Sequence, residues 1–274
     1  MKKKEKQKKT LIYDVIITIL IIIIGFCGFK IGKILYEYHK GTSAYESIAA
    51  LAGADEKSDK LEISWKELAS QNSDIKGWLY SKDTMINYPV VQGKDNDYYL
   101  YRMFNGEYNG KGSLFIDYQV KEPFKQFNTL IYGHRMKDGS MFKSLIQYRD
   151  NENYYEQHKV MQLYTPDQDY NVEIIGAATI PADSPMYEFD EFTDEEKIHY
   201  IDWIKEHNEI KKQEDVPVGV DDRLIMMSTC DYVFEDARLV VWGKLVPIAA
   251  GKSDESKKDH GKGENAKSEK VKEN

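Results

Sequence analysis

Cysteine is scarce in this 274-residue chain, which contains only Cys27 and Cys230. Cys27 falls inside a long apolar run, where a cysteine commonly acts as a small apolar filler. Cys230 is therefore the only thiol in the rest of the chain, and it has no partner for an intramolecular disulfide. In an oxidising compartment such a thiol bridges two copies, lies buried and inert, or performs chemistry. The cysteine count alone leaves these three interpretations open.

Positive charge is missing from most of the chain. The net charge is −8; residues 1–10 contribute +5 and residues 249–274 contribute +1, which leaves −14 on residues 11–248. Nucleic-acid phosphates are bound by clustered lysine and arginine side chains. An acidic body of this kind excludes nucleic acid as the expected partner, and the six lysines among the first ten residues need another explanation.

Two further ligand signatures are absent from the sequence. The histidines His39, His199, His207 and His260 do not combine with cysteines or acidic residues at the spacing of metal ligands. No glycine-rich loop of the phosphate-binding type occurs either. We therefore expect neither a metal nor another cofactor.

A long apolar run follows the basic N-terminus. Leu11–Phe29 is interrupted only by Asp14 and shows no polar face. As a helix it is roughly 28 Å long, close to the ~30 Å of a bilayer core, and the preceding lysines predict a cytoplasmic N-terminus. A cleaved signal peptide is the alternative, but Ala50–Ala52, the nearest small-x-small site, lies too far downstream. We predict an uncleaved single-pass anchor in the cell membrane.

The rest of the sequence divides into four parts around this anchor. We assign 1–10 to a cytoplasmic basic segment, 11–35 to the anchor and 36–62 to a juxtamembrane linker. Residues 63–248 form an extracellular folded domain, and the charged tail 249–274 is too polar to offset its ordering entropy and is predicted to be disordered.

Short β-branched and tyrosine-rich runs between turn residues predict a mostly β domain, a barrel or a sandwich. The clearest runs are Met85–Val91, Gly112–Tyr118, Asn128–Tyr132, Val160–Tyr164, Tyr170–Ile180, Arg223–Thr229 and Arg238–Val246. Ser64 and Glu67 have the spacing of a capping box at the start of a helix over Ser64–Asn72. A second capping box, Thr193–Glu196, begins a helix of about five turns that we extend to Lys212.

Three predicted strand ends carry residues of catalytic type. Cys230 ends one apolar strand, Arg238 begins the next, and His134 follows another strand after Gly133. An imidazole can take the proton of a weakly ionised thiol and return one to a leaving amine. Arginine keeps its charge and suits stabilisation of an oxyanion or of substrate backbone. Each signal alone more often has a structural explanation; only their joint occurrence points to catalysis.

These segments together resemble a class B sortase, and the similarity spans about residues 63–247. The matching segments are Ile86–Gly93, Asp95–Leu100, Gly112–Tyr118, Thr129–His134, Met136–Phe142 and Ser228–Cys230, followed by Arg238. The resemblance implies a closed eight-stranded sortase β-barrel with N-terminal helices and one long helix inserted between late strands. It also implies a cysteine transpeptidase on the outer face of a Gram-positive membrane.

The resemblance assigns roles to particular residues. Cys230, His134 and Arg238 match the catalytic triad, with Cys230 forming a thioacyl enzyme after cleavage of a sorting motif of the Asn-Pro-x-Thr type or a related one. The partners it implies are sorting-signal peptides of surface proteins and an amine of the cell-wall peptide or its lipid-linked precursor. It implies that Asn96, Leu100 and Ser228 line the peptide groove, that Thr229 helps to form the oxyanion site, and that Tyr187 touches the peptide.

Three alternatives to this function remain. A papain-like or cell-wall cysteine peptidase is disfavoured because those families place the cysteine before the histidine, commonly at a helix start. A membrane-tethered binding domain without catalysis predicts an unreactive Cys230. A pilus-polymerising sortase would use the same chemistry with a pilin lysine as the acceptor, and a lid segment before the barrel would favour it.

Overall fold

A closed barrel of eight strands forms the centre of the computed structural model, which describes residues 2–54, 61–188 and 192–249, with side chains from residue 13 onward. The strands are β1 (Ile75–Tyr80), β2 (Asn87–Val91), β3 (Leu114–Ile116), β4 (Asn128–Tyr132), β5 (Val160–Tyr164), β6 (Tyr170–Pro181), β7 (Leu224–Cys230) and β8 (Ala237–Pro247). Around the barrel their order is β1-β2-β3-β4-β7-β8-β6-β5. The β2–β3 and β4–β7 pairs are parallel, and the others are antiparallel. The predicted closed eight-stranded barrel is confirmed.

The apolar runs locate seven of these strands. β4 and β5 have the predicted bounds, whereas β2 and β3 are shorter because the ends of their runs form turns. β1 is absent from the predicted runs, since Lys76 and Gly77 interrupt its apolar pattern and a register shift occurs between Ile75 and Gly77.

Helices surround the barrel. They are α1 (Lys2–Ala52), α2 (Trp65–Gln71), α3 (Gln147–Asp150), α4 (Tyr154–His158) and α5 (Asp194–Glu206), with two 3₁₀ turns at Phe142–Ile146 and Pro185–Tyr187. The Thr193–Glu196 capping box is confirmed. The one predicted at Ser64 is wrong, because the Ser64 side chain makes no capping hydrogen bond.

The inserted helix is shorter than predicted. It ends at Glu206 rather than Lys212, because the chain beyond it turns to pair with β6. The Asn208 side-chain oxygen accepts from the Ala177 N–H at 3.0 Å, and the Glu209 N–H donates to the Ala177 carbonyl at 2.7 Å. These contacts to a strand replace the next helical turn.

Helix α1 extends beyond the predicted anchor. The segment predicted as a linker, 36–62, is helical as far as Ala52, and Tyr45, Ile48 and Ala52 are buried against the barrel. Spacings of three and four residues place these side chains on one helical face, which explains the docking. The tail predicted to be disordered lies, after Ala249, outside the described residues.

Strand β7 is buried on both faces. Ile225 and Met227 point into the barrel core, whereas Leu224 and Met226 join an outer layer that packs under α5. Both faces of the strand therefore exclude water, which explains why its sequence is a continuous apolar run rather than an alternating one.

Candidate active site

Cys230 and Arg238 face each other across two neighbouring strands. Cys230 is the last residue of β7, and its antiparallel partner on β8 is Arg238. Side chains of directly opposite residues project from the same face, with Cβ atoms about 4.5–5.5 Å apart. The two strand ends therefore place a thiol side chain and an arginine side chain on the same face, where the Arg238 guanidinium donates to the Ala237 carbonyl at 3.0 Å.

His134 reaches the same face from the other side of β7. Strand β4 runs parallel to β7 with Tyr132 beside Ser228, and the Gly133 N–H donates to the Ser228 carbonyl at 3.1 Å. Continuing this register by two residues brings His134 level with Cys230. Gly133 is required here, since an added Cβ would lie 2.5 Å from the Phe142 ring. Three adjacent strands, β4, β7 and β8, thus present imidazole, thiol and guanidinium in that order.

A cleft of about 280 Å³ opens at this end of the barrel. Its walls contain the three residues above, together with Asn96, Asp97, Leu100, Phe115, Tyr132, Gly133, Ser228 and Thr229. Cys230, His134 and Arg238 are each partly exposed, so the sulfur is accessible from the cleft. The Thr229 hydroxyl is buried and has no hydrogen-bond partner among the described residues.

The imidazole of His134 is oriented by the backbone. Its Nε2 lies 2.7 Å from the Leu100 carbonyl oxygen. A carbonyl only accepts hydrogen bonds, so Nε2 must carry the hydrogen and Nδ1 is the nitrogen available for proton exchange. Tyr101 supports the ring from the side at a centroid distance of 5.8 Å. The loop that contains Leu100 therefore sets both the position and the tautomer of His134.

Asn96 belongs to a polar cluster on the cleft wall. Its side-chain amide donates to Asp117 at 2.7 Å, and its oxygen accepts from the Tyr118 N–H at 3.1 Å. The Tyr132 hydroxyl donates to the same Asp117 carboxylate at 3.1 Å. Burial and the negative Asp117 raise the pKa of Tyr132, which keeps its hydroxyl a donor. Asp117 and Tyr132 are not among the predicted site residues, although both lie inside segments that carry the family resemblance.

Tyr187 lies one contact away from the cleft rather than among its lining residues. Its hydroxyl is 2.8 Å from the Ser228 hydroxyl, and its ring stacks on Tyr132 at a centroid distance of 6.4 Å. Burial raises the pKa of Tyr187 to about 12, against the opposing effects of Ser228 and the Arg238 charge. The structure brings together Asn96, Leu100, Ser228 and Thr229 at the cleft, with Tyr187 behind Ser228.

An ionic cluster joins the residues that follow Cys230 and His134. Asp231 bonds Arg135 through one carboxylate oxygen at 2.7 Å and Arg149 through the other. Burial of Asp231 opposes its ionisation, but the hydrogen bonds and charges of these arginines outweigh burial and lower its pKa. The cluster ties the end of β7 to the segment after β4. No sequence pattern signals it, because the three residues are far apart along the chain.

Comparison with known proteins agrees with this fold. A family profile described as a sortase domain matches residues 81–246. Sortase B of Listeria monocytogenes is 36% identical over 229 residues, covering 81% of this chain and 91% of that protein. Sortase B of Staphylococcus aureus is 28% identical over 235 residues, covering 84% and 95%.

Solved structures give the same result. The Staphylococcus aureus sortase B–substrate complex has a TM-score of 0.70 at 29% identity, covering 78% of this chain and 100% of that chain. Sortase B of B. anthracis in complex with AAEK1 has a TM-score of 0.68 at 34% identity, with the same coverage. The fold and its similarities define a transpeptidase built on a closed barrel. The chain belongs to the sortase family and, within it, to class B.

Proposed function

We propose that this transpeptidase uses Cys230 as its nucleophile. The thiolate attacks the carbonyl carbon of the scissile peptide bond, the C–N bond breaks, and His134 donates a proton to the leaving amine. The product is a thioester on Cys230. An acceptor amine then attacks that thioester, forms a new amide and releases the thiol, so the net reaction exchanges one amine for another.

One observation carries this proposal. Cys230 sits on the middle strand of three, level with His134, which lies two residues beyond the end of β4, and opposite Arg238 on β8. Arg238 holds a permanent cation beside the sulfur, where negative charge develops on the carbonyl oxygen in the transition state. Thr229, which precedes Cys230 and is among the residues that line the same cleft, helps to hold that oxygen.

The proposed donor is a C-terminal sorting motif of the Asn-Pro-x-Thr type or a related one. The solved Staphylococcus aureus relative is a substrate complex, which supports a peptide in the corresponding cleft of this chain. Asn96, Leu100 and Ser228 supply polar and apolar contacts along the wall. The proposed acceptor is an amine of the cell-wall peptide or of its lipid-linked precursor.

We place this enzyme on the outer face of the cell membrane. One helix is long and apolar enough to span a bilayer, and large apolar side chains from Tyr13 to Tyr36 are exposed on it. Such a surface is unfavourable in water and suits lipid. With the lysines at its N-terminal side in the cytoplasm, the barrel lies outside the cell.

A peptide panel tests the proposal. The full-length chain in detergent is incubated with sorting peptides of the Asn-Pro-x-Thr and related types, with and without an amine acceptor. We expect cleavage of at least one peptide, transfer to the amine, and complete loss of both in Cys230→Ala. His134→Ala should be slower by about 10²–10⁴-fold, the usual contribution of general acid–base catalysis. A folded protein that cleaves nothing in the panel contradicts the proposal.

A further inference from the structure

His134 lies at the base of a short hairpin formed by residues 134–142. Arg135 and Met141 pair in an antiparallel bridge, and the Phe142 N–H donates to the His134 carbonyl at 3.0 Å. These contacts close the hairpin on the backbone of the histidine itself. A movement of the hairpin would therefore move the imidazole as well.

A second segment, the loop of residues 101–113, positions the acceptor of the imidazole. The Leu100 carbonyl oxygen, which accepts from Nε2 of His134, directly precedes this loop. The far end of the loop packs on the same oxygen: Gly112 has a φ of 58°, and a Cβ added there would overlap the Leu100 oxygen and lie 2.7 Å from the Tyr99 oxygen. The end of the loop thus sets the place of the oxygen that His134 contacts.

Lys111, the residue before Gly112, joins this loop to the hairpin. Its side chain is 1% exposed, and its ammonium donates to the Ser140 hydroxyl at 2.7 Å and pairs with the Asp138 carboxylate. Burial opposes the ionisation of Asp138, but the hydrogen bonds from Lys111 and Ser140 outweigh it and lower the pKa of Asp138. A buried ammonium is costly without its anion, so the pair holds loop and hairpin together.

Helix α1 covers this ion pair. Gly41 lies against the aliphatic part of Lys111, and the Tyr38 ring is 5.6 Å from the ammonium. One turn further along the helix, Tyr45 donates to the Gly112 carbonyl at 2.6 Å. Because charges attract more strongly away from water, the docked helix strengthens the connection between the loop and the hairpin.

We propose that Lys111 is a positioning residue for His134: by joining hairpin to loop, it keeps the Leu100 carbonyl on Nε2 and leaves Nδ1 as the nitrogen that exchanges protons. Lys111 is not among the residues that line the cleft, so it acts through the imidazole and not on the substrate. This role rests on the proposed function of Cys230 and His134 and deepens it. Displacing a reacting group by about 1 Å can cost about 10²-fold in rate.

A double-mutant cycle tests whether Lys111 acts through His134. Lys111→Met keeps an unbranched apolar side chain and removes the ammonium. Sorting-peptide cleavage by the full-length chain in detergent is measured as kcat/KM for Lys111→Met, for His134→Ala and for both changes together. We expect Lys111→Met to lower kcat/KM by about 10–10²-fold when His134 is present, and by no more than about 2-fold in the His134→Ala background.

Two further variants control for general loss of stability. Lys244→Met is the matched control, because Lys244 pairs with Asp222 at 3.0 Å but lies opposite Leu224, at the other end of β7 from Cys230. It should change kcat/KM by less than about 2-fold. Ser140→Ala removes one acceptor of the Lys111 ammonium and leaves the charges paired. It should give a smaller loss with the same dependence on His134, and it decides the matter if circular dichroism shows Lys111→Met to be unfolded.

The possible failures have different signatures. Equal losses in both backgrounds, or no loss when His134 is present, would overturn the positioning role of Lys111 and leave the proposed reaction intact. Wild-type activity in His134→Ala would instead contradict the proposed function, and the positioning role would fail with it.

Discussion

Arg238 presents a permanent positive charge directly across the sheet from Cys230. If only the charge of Arg238 mattered, a lysine at this position would function equally well. A guanidinium, however, offers a planar fork of donors that a lysine ammonium lacks. The two substitutions Arg238→Lys and Arg238→Ala therefore separate charge from geometry.

We expect Arg238→Ala to lower kcat/KM by about 10²–10³-fold, as loss of an oxyanion donor does. Arg238→Lys keeps the charge and should recover only part of that loss. Steady-state cleavage of a sorting peptide measures both variants. Wild-type activity in Arg238→Ala would remove the arginine from the mechanism.

Asp231 is the buried link between the segments that follow the cysteine and the histidine. Its side chain is 2% exposed and bonds two guanidiniums. Asp231→Asn leaves both cations without their shared anion, and we expect the free energy of unfolding to fall by about 2–4 kcal/mol. Asp150→Asn is the matched control, because Asp150 also bonds Arg149 but is half exposed and should matter little.

The stabilisation from Asp231 also depends on pH. Its pKa in the folded protein is lowered below the usual 3.8, so the unfolded chain binds its proton first as the pH falls. The stabilisation is complete above the unfolded pKa and is lost as the pH falls through the folded one. Urea denaturation should therefore show a wild-type advantage over Asp231→Asn at neutral pH that shrinks below about pH 4. A constant gap would contradict the ionic explanation.

The position of a residue at a strand end can be predicted where the sequence carries a local pattern, whereas the catalytic roles remain predictions. Cys230 stands out because it ends an apolar strand and has no disulfide partner. Gly133, directly before His134, indicates that the backbone there lies close to another part of the chain. Asp231 has no such local pattern, because its role depends on two arginines that only the fold brings next to it. Pairings of distant charges are set by tertiary structure and cannot be inferred from spacing.

Helix α1 combines an apolar span with a docked segment in one element. The sequence predicts a linker over 36–62, because its three buried residues are too few to stand out among charged neighbours. The structure shows that Tyr45, Ile48 and Ala52 complete the hydrophobic core. The inserted helix was likewise located by its capping box, but its end depends on contacts with β6 that the sequence does not display.

A chain that begins at Leu61 should therefore be less stable than one that begins at Glu37. Burial of two large side chains, Tyr45 and Ile48, contributes about 3–6 kcal/mol to the difference in unfolding free energy. Urea denaturation of both chains measures it. In the longer chain, Tyr45→Ala should reproduce much of the loss, whereas Ser47→Ala, at an exposed position, should not. Equal stability of the two chains would mean that α1 does not pack on the barrel in solution.

The whole molecule joins a helix with exposed apolar side chains, a docked helical segment and a barrel with a cleft at one end. The acidic body is consistent with a peptide substrate rather than nucleic acid, and the barrel followed from the spacing of the strands together with the family resemblance. The position of the cleft relative to α1 could not be predicted from the sequence, because it depends on how α1 packs against the loop 101–113.

Everything proposed for catalysis depends on an acyl group passing through the sulfur of Cys230. The direct test incubates the full-length chain with a cleavable sorting peptide and no acceptor amine, followed by acid quenching and mass spectrometry of the digested protein. We expect the mass of the peptide's N-terminal acyl fragment on the segment containing Cys230, and its disappearance when an amine is added. Peptide cleavage without any adduct on Cys230, or with an adduct on another residue, would contradict the account.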